Sequence, residues 1–177
     1  MLELSWLGNL ATIWELKQLL VAKNLNVFFL SEKMHFNSLS CIRNISWMED
    51  CLAVRSKERS GDLALLWNVG VDVTVQNYSS HHIDSLISIN ENKKIRFTGF
   101  YGHPDPNSRK RSWDILRKMG SVVRESWVVG GDFNAILHDE EKEGGHRKPR
   151  AIMDDFRELN EDVDIKTKNG GYALHGG

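Results

Sequence analysis

Between Cys51 and Tyr101 the chain offers one strand-like run after another, with no helix-length interval between them. Cys51 to Val54 and Leu63 to Trp67 are short apolar runs joined by the polar turn Lys57-Glu58-Arg59-Ser60-Gly61. Val71, Val73 and Val75 alternate with polar residues, the period of two that marks a half-buried strand. His82 to Ile89 and Ile95 to Tyr101 follow, divided by Asn90-Glu91-Asn92-Lys93. Strands that succeed one another in this way point to an antiparallel meander rather than strict βαβ alternation.

Helical signals flank this run. Leu2 to Trp6 reads as a first strand, and Thr12-Ile13-Trp14-Glu15 fits a capping box, in which the Thr hydroxyl and Glu carboxylate satisfy opposite backbone donors. Ile13, Leu16 and Leu20 share one face, predicting a helix to about Ala22. Val27 to Leu30 is a short strand with Glu32 at its carboxyl end, and the stretch from His35 to Trp47 reads as loop with a helical turn. After the Pro-containing loop Gly102–Asn107, the spacing of Trp113, Leu116 and Met119 predicts a helix over Ser112 to Val123. Ile152, Phe156, Leu159 and Val163 mark another, and the tail from Asn169 has loop-like composition. The class is mixed α/β, a single domain over 1–177.

A second apolar run, Ser126-Trp127-Val128-Val129, is stopped by Gly130-Gly131 and followed at once by Asp132-Phe133-Asn134. It reads as a buried strand ending in a tight turn. A carboxylate there calls for a partner, such as a metal ion or a reacting water, although an ordinary Asx turn has the same composition. The arrangement recurs: Glu32, Tyr101 and the Asp132/Asn134 pair all lie at or just past predicted strand ends, where functional groups from distant sequence converge. Glu32 suits Mg²⁺, a hard cation that takes oxygen ligands. Asp132 can orient or deprotonate a water, while Asn134 and Tyr101 can hydrogen-bond phosphoryl oxygens. Taken singly, each of these residues also has a structural reading.

The formal net charge of -1 excludes a strongly basic protein, so nucleic-acid contact would depend on a local patch or a metal. The cluster Lys142, His146, Arg147, Lys148 and Arg150 is such a patch, or else a solvated loop. His103 lies beside Tyr101, whereas His81 and His82 are strand neighbours that cannot easily share one metal. Cys41 and Cys51 lack zinc-site spacing and read as free thiols of a reducing compartment. There is no secretory-type start and no apolar run of membrane-spanning length. No nucleotide-binding glycine fingerprint surrounds Gly130-Gly131, and no organic cofactor is expected.

Phe29-Leu30-Ser31-Glu32, Ser60-Gly61 with Leu63-Ala64-Leu65-Leu66-Trp67, Phe97-Thr98-Gly99-Phe100-Tyr101-Gly102-His103-Pro104 and Gly130-Gly131-Asp132-Phe133-Asn134 occur in that order. Together with Arg150-Ala151-Ile152-Met153-Asp154-Asp155-Phe156, this set resembles the endonuclease/exonuclease/phosphatase superfamily. Within it, the set is similar to the endonuclease-like domain of plant LINE-type (non-LTR) retrotransposon polyproteins. The resemblance implies a four-layer sandwich of two mixed β-sheets flanked by helices. It also implies Mg²⁺-dependent (or Mn²⁺-dependent) phosphodiester hydrolysis, with DNA as substrate and the nucleus as location. By position, Glu32 matches the metal-binding Glu, Tyr101 the phosphate-contacting tyrosine, Asp132 the water-activating residue and Asn134 its partner. His103, Arg147 and Lys148 are candidate phosphate or DNA contacts.

The departures from the family pattern carry an expectation of their own. Trp6 is followed by Leu7-Gly8 where the family has a metal-site Asn, and Lys33-Met34 follows Glu32 in a shortened loop. The family's later strands and closing Asp-His fall beyond the region matching Asn169-Gly170-Gly171, so a domain cut short at its carboxyl end is expected. Two readings therefore stand: a metal-dependent endonuclease of retroelement origin whose activity is impaired, or a non-catalytic remnant that binds nucleic acid or protein.

Overall fold

The computed structural model describes residues 26–32, 48, 50–55, 62–134, 165–168 and 171–174, with Glu32 and the last two segments described through the backbone alone. The elements expected at 2–6, 12–22, 35–47 and 152–163 lie outside the described residues.

Three strands form the first sheet: β1 (Val27–Glu32), β2 (Asp50–Val54) and β3 (Asp62–Trp67). The order is β1-β3-β2, antiparallel throughout, so β3 is central. Its sequence suits that place, because Leu63, Ala64, Leu65 and Leu66 are all buried and both faces of the strand are covered. Cys51 on β2 is a free, exposed thiol.

The second sheet contains β4 (Val73–Ser79), β5 (His82–Asn90), β6 (Lys93–Tyr101) and β7 (Ser126–Asp132), in that order. The first three form the expected meander. β7 then joins β6 in parallel. Such a pairing needs a crossover, and helix α1 (Pro106–Gly120) supplies it. The helix begins at Pro106 rather than at the predicted Ser112. Asp105 is its N-cap, accepting from the Asn107 amide, and Pro106 occupies the first turn, where its missing N–H is not needed. The apolar spacing starts only at Trp113, because the first turns carry the buried polar residues Arg109 and Ser112.

The tail also departs from expectation. β8 (Ile165–Lys168) and β9 (Gly171–Leu174) pair antiparallel where loop was expected from 169 onward, with β9 close beside β7.

The two main sheets meet through Leu63 and Leu65 of β3 and Ile83 of β5, all fully buried, with Phe29, Phe97 and Tyr101 packed around them. Gly99 lies beneath the Phe29 ring, where a Cβ would collide with it. The outer side of the second sheet carries Asp84, fully buried, which accepts from Arg96 (Nη2, 2.6 Å) and from Thr98 (Oγ1, 2.8 Å). The indole of Trp127 donates in turn to Thr98 Oγ1 at 2.9 Å, tying β5, β6 and β7 together. Every polar atom named in this network has a partner, as burial demands.

Candidate active site

β6 and β7 are the parallel pair of the second sheet, and Tyr101 and Asp132 are register partners at their carboxyl ends. The ladder runs one step further, with the Gly102 amide donating to the Asp132 carbonyl at 2.7 Å. This close approach explains two glycines. A Cβ on Gly102 would run into the Phe133 carbonyl, and one on Gly131, at φ +143, would run into the Phe100 carbonyl. Asn134 then adopts the left-handed conformation, φ 52, which Asn tolerates better than most residues. Its amide donates to Asp132 Oδ1 at 2.7 Å, closing an Asx turn. Its Nδ2 donates to the Gly102 carbonyl at 2.6 Å, so one amide hydrogen of Asn134 pins the two strand ends to each other. Asp132 Oδ2 takes no hydrogen bond among the described residues.

The loop after Tyr101 is held just as firmly. His103 donates its amide to Ser112 Oγ at 3.1 Å, and Ser112 in turn donates to the Arg109 carbonyl at 2.6 Å. Arg109, only 4% exposed, donates from Nε to the His103 carbonyl at 3.0 Å and from Nη2 to the Pro104 carbonyl at 2.6 Å. Its Nη1 is buried and has no hydrogen-bond partner among the described residues. Burial pulls the Arg109 pKa down, and the nearby charges of Asp132 and Asp105 oppose that shift.

Across the sheet, His81 sits in the turn before β5. Its carbonyl accepts from the Tyr101 amide at 2.8 Å, and its ring Nδ1 lies 3.2 Å from the Tyr101 carbonyl. The His81 and His103 rings are 5.7 Å apart, centroid to centroid. His82 points elsewhere: it is buried, its Nδ1 lies 2.8 Å from Ser79 Oγ, and burial lowers its pKa.

Tyr101, Asp132, Asn134 and His103 are thus brought to one sheet end. Glu32 enters through its backbone alone, as the last residue of β1, a strand that approaches both β6 and β7. Arg147 and Lys148 lie outside the described residues. Three neighbours were not foreseen as part of the site: His81, Arg109 and Ser112. The pairing His82↔Phe100 sets His81 opposite Tyr101, a register that only the folded sheet supplies. The donors of the site are a carboxylate, a phenol and a carboxamide, hard oxygen groups of the kind that suit Mg²⁺. Among the described residues, no group of three or more His, Cys, Asp or Glu side chains is arranged to hold an ion.

Solved structures share this architecture. An AP endonuclease from Archaeoglobus fulgidus matches with a TM-score of 0.63 at 12% identity, over 93% of this chain and 81% of that one. ANGEL2, a 2′,3′-cyclic phosphatase, matches at 0.54 and 14% identity, over 73% and 45%. Truncated TDP2 from Caenorhabditis elegans matches at 0.50 and 17% identity, over 77% and 58%. The fold is that of the endonuclease/exonuclease/phosphatase enzymes. Against ANGEL2 and TDP2 the chain spans about half of the other protein's length. No family model matches the chain. No curated protein matches it either.

Proposed function

We propose that the chain is an endonuclease-like phosphodiesterase domain of retroelement origin, acting on DNA in the nucleus. The observation that carries this reading is the register pairing of Tyr101 with Asp132 at the carboxyl ends of parallel strands, closed by the Asx turn of Asn134. Fold neighbours that include an AP endonuclease and a 2′,3′-cyclic phosphatase support phosphate-ester chemistry. In this reading Asp132, with Oδ1 held by the Asn134 amide, orients a water through Oδ2 and takes its proton. The Tyr101 hydroxyl contacts a non-bridging phosphoryl oxygen, and Asn134 keeps both groups in place. Glu32 would hold Mg²⁺, with Mn²⁺ as an alternative, and the ion would supply charge stabilisation at the phosphoryl group. Arg147 and Lys148 would contact the DNA backbone.

The test is nicking of supercoiled plasmid by the purified protein with Mg²⁺, beside an Asp132→Ala control. Loss of at least about a hundredfold in rate is expected for the variant. Equal nicking by the two proteins, or none by either, sinks the enzymatic reading; a gel shift on the same DNA then tests the non-catalytic binding alternative. The retroelement origin predicts a reverse-transcriptase reading frame in frame on the same transcript.

A further inference from the structure

Helix α1 is chemically two-sided. Arg109, Ser112, Trp113 and Leu116 are buried against the sheet and the loop after Tyr101, and the Trp113 indole reaches the Phe133 carbonyl at 3.3 Å. The outward side carries Lys110, Arg111 and Lys118, all exposed, with Arg117 half-buried beside them. Five of the fifteen residues are Lys or Arg and only Asp114 is acidic, in a chain whose formal net charge is -1. Positive charge is therefore gathered on this element while the rest of the sequence is net acidic.

Helix stability accounts for part of this pattern. Arg117 is bridged to Asp114 at 3.0 Å, and both Arg117 and Lys118 stand in the last turn, where the helix dipole favours cations. Arg111 has neither reason. It lies in the second turn, no acid occupies the first turn, and it enters no ion pair among the described residues. Arg111 and Lys118 are two turns apart on one face, about 10 Å along the axis. A polyanion with closely spaced charges can meet both at once. The fold gives the face its place: α1 begins one short loop after Tyr101, at the Tyr101–Asp132 end of the sheet, and runs back for about 22 Å, the length of about six base pairs.

We infer that the outward face of α1 is a docking surface for the nucleic-acid backbone, leading away from the candidate active site along the crossover helix, with Arg111 and Lys118 as phosphate contacts. That the partner is DNA rests on the phosphodiesterase reading; that the face takes a polyanion rests on its charge and position. The experiment measures fluorescence anisotropy of a labelled duplex of about 20 base pairs with the full chain, in metal-free buffer between about 50 and 200 mM KCl. The double variant Arg111→Gln/Lys118→Gln is compared with Lys93→Gln/Lys94→Gln, an equal charge change at exposed residues that begin β6 and lie off the helix. Urea melts check that both variants fold.

Each lost phosphate contact lowers the slope of log affinity against log salt by about 0.9, so the helix variant should lose about 1.8 and bind about tenfold more weakly at the low-salt end. The strand variant should keep the wild-type slope. An unchanged slope in the helix variant, an equal change in the strand variant, or no duplex binding by the wild type would overturn the docking surface. Asp132-dependent nicking of plasmid with unchanged slopes would count against the surface alone. The expected slope loss without nicking by the wild type would count against the phosphodiesterase reading alone and leave the surface standing.

Discussion

Asn134 combines a backbone constraint and a hydrogen bond in one residue, and three substitutions separate them. Replacing it with Gly removes the Nδ2 donor to the Gly102 carbonyl while leaving the left-handed φ of 52 unstrained. Gly102 is buried, so its carbonyl loses a partner without gaining water, at a cost of about 1–3 kcal/mol. Asn134→Ala carries the same loss plus about 1–2 kcal/mol for an L side chain in the left-handed region. Glycine's greater freedom in the unfolded chain returns about 0.5–1 kcal/mol of that difference. The Gly variant should therefore be about 1 kcal/mol more stable than the Ala variant, read by urea denaturation, or about 2–4 °C in melting temperature. Asn134→Asp tolerates the backbone conformation but sets an acceptor against an acceptor, and should be the least stable at neutral pH. Should Ala prove as stable as Gly, the left-handed constraint at this turn is refuted. Should all three match wild type, the pinning bond is refuted with it.

Other perturbations follow from the same structure. Gly131→Ala meets both a φ of +143 and the Phe100 carbonyl; a loss of more than about 3 kcal/mol is expected, seen as failure to give a cooperative melt. Asp84→Ala leaves Arg96 and Thr98 facing a buried void and should cost about 3 kcal/mol in urea, with Thr98→Val milder at about 1 kcal/mol. His82 titrates below its usual 6.5 because burial disfavours its charge. On acidification the unfolded chain takes up that proton first, so the His82 contribution is complete above 6.5 and is lost as pH falls through the folded pKa. The slope is at most about 1.4 kcal/mol per pH unit. His82→Asn should remove that part of the acid dependence; an unchanged slope would show that His82 is not its source.

What could be read from the residues follows a physical division. Alternation and apolar runs are local, so β1 through β7 were legible to within a few residues, and Gly-Gly-Asp announced the strand end at Asp132. Pairing depends on distant partners. β1 pairs with β3 and not with its successor β2, and nothing in the run Val27–Leu30 specifies that choice. The start of α1 was missed because Asp105-Pro106 is equally good loop and N-cap chemistry, and because the first turns bury Arg109 and Ser112 rather than apolar side chains. Those two residues entered the site unannounced for the same reason: a charged residue ahead of an apolar stripe looks solvated until the loop it holds is known.

The site's location follows from the one break in the meander. In antiparallel neighbours, successive strand ends fall at opposite edges of the sheet, so Tyr101 could not have met the end of β5. Helix α1 carries the chain back across the sheet, and β7 therefore ends where β6 ends. Only then can a side chain at 101 and another at 132 become immediate neighbours. The close approach that follows requires glycine at 102 and 131, and the turn it forces requires a residue at 134 that accepts the left-handed region. Asn satisfies that demand and ties Gly102 down with the same side chain. Phe-Tyr-Gly and Gly-Gly-Asp-Phe-Asn are thus the two halves of a single crossing, set far apart in sequence because the crossover helix lies between them.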